Sequence, residues 1–197
     1  MIKVAIVYHS EGGRTKKQAE AIRRGAESLE GTEVLFLTTQ EASERLEDLD
    51  RADAIVFGSP TYLGSMSAEM KRFLESGIDR WFSRAWQNKI AGTFTHSTNF
   101  SGDKVNTLIG MLFNAMQQGM IYVSLGQLPA SNEPDSMKSL VGPSPDAINR
   151  IDGSIGAMAT SFEVKADEAP SKGDILTAEA YGRRIADITA QFARGRQ

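Results

Sequence analysis

Apolar positions follow two alternating textures along the chain. Residues 4–8, Val4-Ala5-Ile6-Val7-Tyr8, form a short continuous apolar run rich in β-branched side chains, the texture of a strand covered on both faces. Residues 54–57 repeat it, 90–95 and 120–125 are weaker copies, and 34–37 is a fifth. Between these runs the spacing changes to that of a helix face: Ala19, Ile22, Ala26 and Leu29 after the first, Met66, Met70, Phe73 and Leu74 after the third. The clearest helix carries Val105, Leu108, Ile109, Leu112, Phe113 and Met116 behind an Asp103 cap and stops at Gly119. A last helix carries Tyr181, Ile185, Ile188 and Phe192, with Asp174 and Glu179 toward its start and Arg194 and Arg196 at its end, as the macrodipole favours.

Strands alternating with helices predict β-α-β units, hence a parallel sheet with right-handed crossovers. The expected architecture is a doubly wound, five-stranded parallel sheet in a three-layer α/β/α sandwich, one domain over residues 1–197 with no internal repeat. In such a sheet ligands bind outside the carboxyl ends of the strands, where the winding direction reverses. That directs attention to the segments after Tyr8, Phe57 and Thr95. One region breaks the rhythm: residues 127–174 hold five of the six prolines and no sustained period. A loop of that length is functional or disordered.

Composition narrows the chemistry. With Lys+Arg 22 against Asp+Glu 25 the formal charge is −3, which argues against a nucleic-acid platform. There is no cysteine, so disulfides, thiolate metal sites, iron–sulfur clusters and a catalytic Cys are excluded. His9 and His96 alone are a poor supply for a protein-held zinc. The apolar runs are too short for a membrane span, and the first strand begins at residue 2, so the expectation is a cytoplasmic protein. Any redox or group-transfer chemistry has to come from a bound cofactor.

The three strand-end loops differ in what they offer. Ser10-Glu11-Gly12-Gly13-Arg14-Thr15 sits between a strand and a helix N-terminus, where free N–H groups and the helix dipole favour an anion. Its spacing matches neither GxxxxGK[ST] nor GxGxxG, so a terminal monophosphate fits better than a triphosphate or a dinucleotide pyrophosphate. Pro60-Thr61-Tyr62-Leu63-Gly64 leads to a helix capped by Ser65 or Ser67, with Tyr62 and Leu63 as apolar walls for a planar ring. His96-Ser97-Thr98-Asn99-Phe100-Ser101 supplies many donors for the polar edge of a heterocycle. Each loop alone also reads as an ordinary capped turn. Their coincidence at three neighbouring strand ends favours a site for a phosphate and a flat ring.

At this point the residues resemble a known family. Ser10 to Thr15 with Ala19 is similar to the S-x-x-G-x-T-x-x-x-A phosphate loop of flavodoxin-like FMN proteins. FGSPTYLGSMSAEMKRFLE, residues 57–75, resembles the second flavin loop of the WrbA-like NAD(P)H:quinone oxidoreductases, F-G-[ST]-P-T-x-x-G-x-M-S. The similarity spans residues 1–126 and resumes at the final helix. It implies a flavodoxin-like fold in which Ser10 to Thr15 hold the FMN phosphate, Pro60 to Gly64 line the isoalloxazine, and His96 to Ser101 meet the ribityl chain and ring edge. It further implies that Trp81 forms an aromatic wall over the flavin of a neighbouring subunit in a homo-oligomer, dimer or tetramer. Tyr62, Trp81, Phe100 and Gln118 are then the expected substrate pocket, with Trp86 and Phe82 in reserve.

Three departures from the pattern stand out. Gln118 replaces a histidine found in some members, and Phe100 replaces a small residue. The segment from Leu37 to Asp53 is also shorter than in the quinone reductases, whereas the chain is longer after residue 126. The implied activity is a ping-pong transfer of hydride from NADH or NADPH through FMN to a quinone, with the flavin carrying the chemistry. A flavodoxin-type one-electron carrier and an NAD(P)H-dependent FMN reductase are the competing readings, because one sheet hosts all three.

Overall fold

In the computed structural model, residues 1–195 are described. Arg196, expected at the end of the last helix, lies outside the described residues. The order is β1 (Ile2–Tyr8), α1 (Arg14–Glu27), β2 (Thr32–Thr38), α2 (Thr39–Glu44), α3 (Leu46–Asp50), β3 (Ala54–Tyr62), β4 (Ser65–Met66), α4 (Ala68–Ser76) and α5 (Ile78–Ser83). Then come β5 (Ile90–Ser97), α6 (Lys104–Gln117), β6 (Ile121–Tyr122), a 3-10 turn at Pro134–Lys138, β7 (Ala157–Thr160) and α7 (Lys172–Gly195).

The main sheet runs β2-β1-β3-β5-β6, all parallel, which is the doubly wound order that the alternation predicts. Successive side chains of β1 point to opposite layers. Val4, Ile6 and Tyr8 pack with Ala19, Ile22 and Ala26 of α1 and Tyr181 and Ile185 of α7. Ala5 and Val7 pack on the other face with Met70, Phe73 and Leu74 of α4 and Leu108 and Met111 of α6. Burial on both faces explains why these strands are apolar throughout rather than alternating.

Two elements differ from expectation. The fifth strand, expected over 120–125, pairs with β5 only at Ile121 and Tyr122. The rest of that edge belongs to β7, whose Ala157 to Thr160 lie parallel to Phe94 to Ser97. One strand position is thus built from two pieces, and the irregular segment between them is an excursion from the sheet.

Two tyrosines close the gap. The Tyr181 hydroxyl donates to the Val123 carbonyl (2.6 Å) and accepts the Thr93 N–H (3.4 Å). The Tyr122 hydroxyl bonds Thr93 Oγ1 and donates to the Ile155 carbonyl (3.1 Å). Burial pushes the Tyr122 phenol up to about 12, so it stays a neutral donor. Gly156 enables the chain to re-enter, because a Cβ there would sit 2.0 Å from the Thr93 carbonyl oxygen.

Asp103 is the second difference. It occupies the N-cap position of α6 at φ 54° but makes no side-chain cap bond. Ser67 does cap α4, accepting the Met70 N–H at 3.2 Å. No described helix is long and apolar enough to cross a membrane.

Candidate functional site

Three loops meet at the carboxyl ends of β1, β3 and β5 and enclose a cleft of about 120 Å³. Its lining is drawn from Ser10, Glu11, Gly12, Arg14 and Thr15 on the first loop, Pro60, Thr61 and Tyr62 on the second, and His96, Ser97 and Thr98 on the third. The register places Pro60 beside His96 and Gly58 beside Tyr8, so the strand ends themselves bring the loops together.

The first loop carries donors. Ser10 Oγ accepts the Lys16 N–H at 3.1 Å and thereby braces the first turn of α1. Among the described residues, the N–H groups from Glu11 to Thr15 have no protein acceptor. Helix N-termini leave such donors free, and the dipole adds a partial positive charge. Arg14 flanks them, its guanidinium donating to the Val164 carbonyl at 2.8 Å.

The second loop is a hairpin. β3 turns at Leu63 (φ 47°) and Gly64 (φ 78°) and returns as β4, with Tyr62 opposite Ser65. Positive φ at both central residues is what a tight two-residue hairpin requires, and glycine meets it without strain. Leu63 is fully exposed at the tip. Tyr62 is half exposed beside Glu11, and burial followed by that carboxylate raises its pKa. The Thr61 hydroxyl is occupied, with Thr95 Oγ1 and Thr107 Oγ1 each at 2.8 Å, so it braces the floor.

The third loop presents His96, which is buried yet has an Nε2 without a partner. Burial, then the positive charges of Lys104 and Arg14, hold its pKa down at about 4, so the imidazole is neutral near pH 7. An orphaned buried nitrogen signals a missing partner. Free amides at one side and an orphaned imidazole at the other fit a molecule with an anionic end and a polar ring, and FMN is such a molecule.

A family model described as NADPH-dependent FMN reductase matches residues 2–135. The chain belongs to this family. Among curated proteins it is 36% identical over 193 residues to "Flavodoxin FldP" of Pseudomonas aeruginosa, covering 98% of this chain and 99% of that one. It is 30% identical over 217 aligned positions to "NAD(P)H dehydrogenase (quinone)" of Aromatoleum aromaticum, covering 99% of each. Among solved structures it is similar to a flavodoxin, WrbA-like protein from Agrobacterium tumefaciens, with TM-score 0.73 and 33% identity over 97% of this chain and 99% of the other.

Within this FMN reductase family member the remaining expected residues of the three loops sit at the margin of the cleft, next to those that line it. Gly13 is the N-cap of α1, and Leu63 and Gly64 form the hairpin tip. Asn99, Phe100 and Ser101 are exposed just beyond Thr98, where the Phe100 ring meets Phe162 edge to face at 4.8 Å. Trp81 and Gln118 line a different hollow of about 540 Å³, between α4, α5 and α6. That hollow is larger, but no strand end opens into it and the helix start on its wall, Ile78, belongs to the six-residue α5, whereas the smaller cleft joins three strand ends to the start of α1. Trp86, held in reserve as a wall, is instead a core residue, fully buried with its indole N–H donating to Asp50 at 2.7 Å. Phe82 is exposed beside Trp81.

Sequence reasoning missed the residues that brace the third loop. The Thr98 carbonyl accepts from Phe162 N–H (2.7 Å) and Thr160 Oγ1 (2.6 Å), both from the segment that shows no periodicity. Lys17 donates to the carbonyls of Ala166 and Ala169, which ties the same segment to α1. Five prolines in one stretch were the visible signal, but they specify neither partner nor direction.

Proposed function

We propose that the protein is an FMN-dependent oxidoreductase that takes hydride from NADH or NADPH and delivers two electrons to a quinone in ping-pong order. The observation that carries this reading is the cleft itself, with unpaired amides from Glu11 to Thr15 across from Tyr62 and the orphaned His96 nitrogen. Relatives named NAD(P)H dehydrogenase (quinone), aligned over nearly their full length, support it.

FMN, when bound, supplies the electron-accepting ring, and the residues supply position. The α1 amides, Ser10 and Thr15 hold the phosphate against the helix dipole. Pro60, Tyr62 and Leu63 form an apolar wall for the ring. His96 to Ser101 face its polar edge, where neutral His96 donates or accepts one hydrogen bond without adding charge. The active form is a homo-oligomer, dimer or tetramer, in which Trp81 and Gln118 reach the substrate side of a neighbouring subunit's flavin. Exposed Ile78, Phe82, Phe113 and Met116 on α5 and α6 support an assembly through that face. Use of NAD(P)H makes the cytoplasm its location.

Steady-state oxidation of NADH and NADPH with benzoquinone tests the reading. Parallel double-reciprocal lines with FMN retained are expected. A colourless protein whose melting temperature ignores added FMN would sink it. A second reading rests on the 36% identical relative named a flavodoxin: a one-electron carrier. Very slow turnover with benzoquinone, together with a one-electron intermediate in redox titration, would favour that carrier.

A further inference from the structure

Lys104 occupies a position that elementary electrostatics opposes. It is the first residue of α6, fully buried, at a helix end whose dipole already repels cations, and that first turn has no acidic residue. Its ammonium donates to the carbonyl of Asn99 and to that of Phe100 (2.9 Å), so the third cleft loop is folded around it.

A second buried pair stands behind the same loop. Arg150 grips Asp174 through two bonds of 2.8 and 3.0 Å, with their side chains only 6% and 2% exposed. Asp174 also accepts the Thr160 N–H (2.9 Å), and the Arg150 guanidinium lies 5.2 Å from the centre of the Phe100 ring. These three buried charges sum to one net positive, while the exposed carboxylates of Asp103 and Asp152 line the hollow that Lys104 borders. Burial first, and then the nearby Lys104 charge, hold the His96 pKa down, which places Lys104 within electrostatic reach of the cleft. Burial lowers the Lys104 pKa to about 8, so the ammonium stays mostly charged near pH 7.

We propose that Lys104 is a positioning residue for the flavin: it fixes residues 97–101 in their binding shape and, with the Arg150–Asp174 pair, sets a net positive charge behind the ring. This rests on the FMN reading above. Hydride uptake gives the ring one more negative charge at neutral pH, so a fixed cation nearby favours the reduced over the oxidised form. The irregular segment thereby gains a role, since Arg150, Thr160 and Phe162 complete the brace.

The test compares wild type, Lys104→Met and Lys104→Arg, each reconstituted with FMN, by dissociation constant and two-electron midpoint potential. Lys104→Met is expected to weaken oxidised FMN severalfold and reduced FMN tenfold further. That tenfold difference is a downward shift of about 30 mV for a two-electron couple. Lys104→Arg, which keeps the charge, should return the potential toward wild type. If Lys104→Met does not fold, Lys104→Gln keeps an amide donor for the loop without the charge and carries the same expectation. An unchanged potential in the neutral variant, or an equal drop in Lys104→Arg, overturns the proposal. Failure of wild type to bind FMN would instead overturn the FMN reading.

Discussion

The rims at residues 10–15 and 96–101 face each other across one cleft and are built in opposite ways. The first has a local backbone frame: Ser10 braces Lys16, and the free amides come from five consecutive residues at one helix start, with the Arg14 side chain reaching out to the Val164 carbonyl. The second is assembled from afar, since Thr98 is held by Thr160 and Phe162, and Phe100 lies against Arg150 and Phe162. A rim made of neighbours in sequence forms whenever its strand and helix form. The other exists only after β7 has docked on β5.

The comparison breaks most sharply at Asp174. Asp174→Asn leaves Arg150 buried without its partner and is expected to destabilise the apoprotein by ~3–5 kcal/mol. Amide exchange should then rise more at residues 96–101 than at 10–15. A loss below ~1 kcal/mol in denaturant titration, or equal exchange at both rims, would show that the two rims share one scaffold.

His96 sharpens the contrast by pH. Its folded pKa is about 4 against 6.5 for the free side chain, so the unfolded chain binds the proton first. The stability it contributes is complete above pH 6.5 and is lost as pH falls through 4. Between those limits wild type should lose about 3 kcal/mol more than His96→Asn. Parallel stability curves for the two proteins would show that the imidazole is not held neutral.

Ser10→Asp is the smallest expected effect and probes the local rim alone. The carboxylate still accepts the Lys16 N–H, so the fold should keep its melting temperature. Set against a phosphate, it should weaken FMN at least tenfold, ~1.4 kcal/mol. Unchanged affinity in a fluorescence titration would mean that the phosphate lies elsewhere.

These contrasts also explain what was legible in the chain. The β1, β3 and β5 runs and the Ser10 to Thr15 loop show in the sequence because their signals are periodicity and turn chemistry, which span a few residues. β7 stays hidden: Ala157-Met158-Ala159-Thr160 has no alternation and becomes a strand only against the β5 edge. Asp174 reads as a helix-dipole residue, whereas its carboxylate is the partner of Arg150, 24 positions away. Trp86 reads as a possible wall, yet the Asp50 carboxylate that takes its N–H lies 36 positions away in the chain.

The sequence by itself determined a parallel α/β sheet, the three strand ends at which a cofactor would sit, and a cysteine-free chain that must borrow its redox chemistry. Those properties follow from local spacing and from composition. Only the tertiary structure decided that the last strand is split, that residues 157–174 brace the 96–101 rim and tie it to α1, and that Lys104 is buried behind that rim. A buried charge finds its partner by distance in space, and the sheet edge that creates strand β7 exists only once the chain has folded.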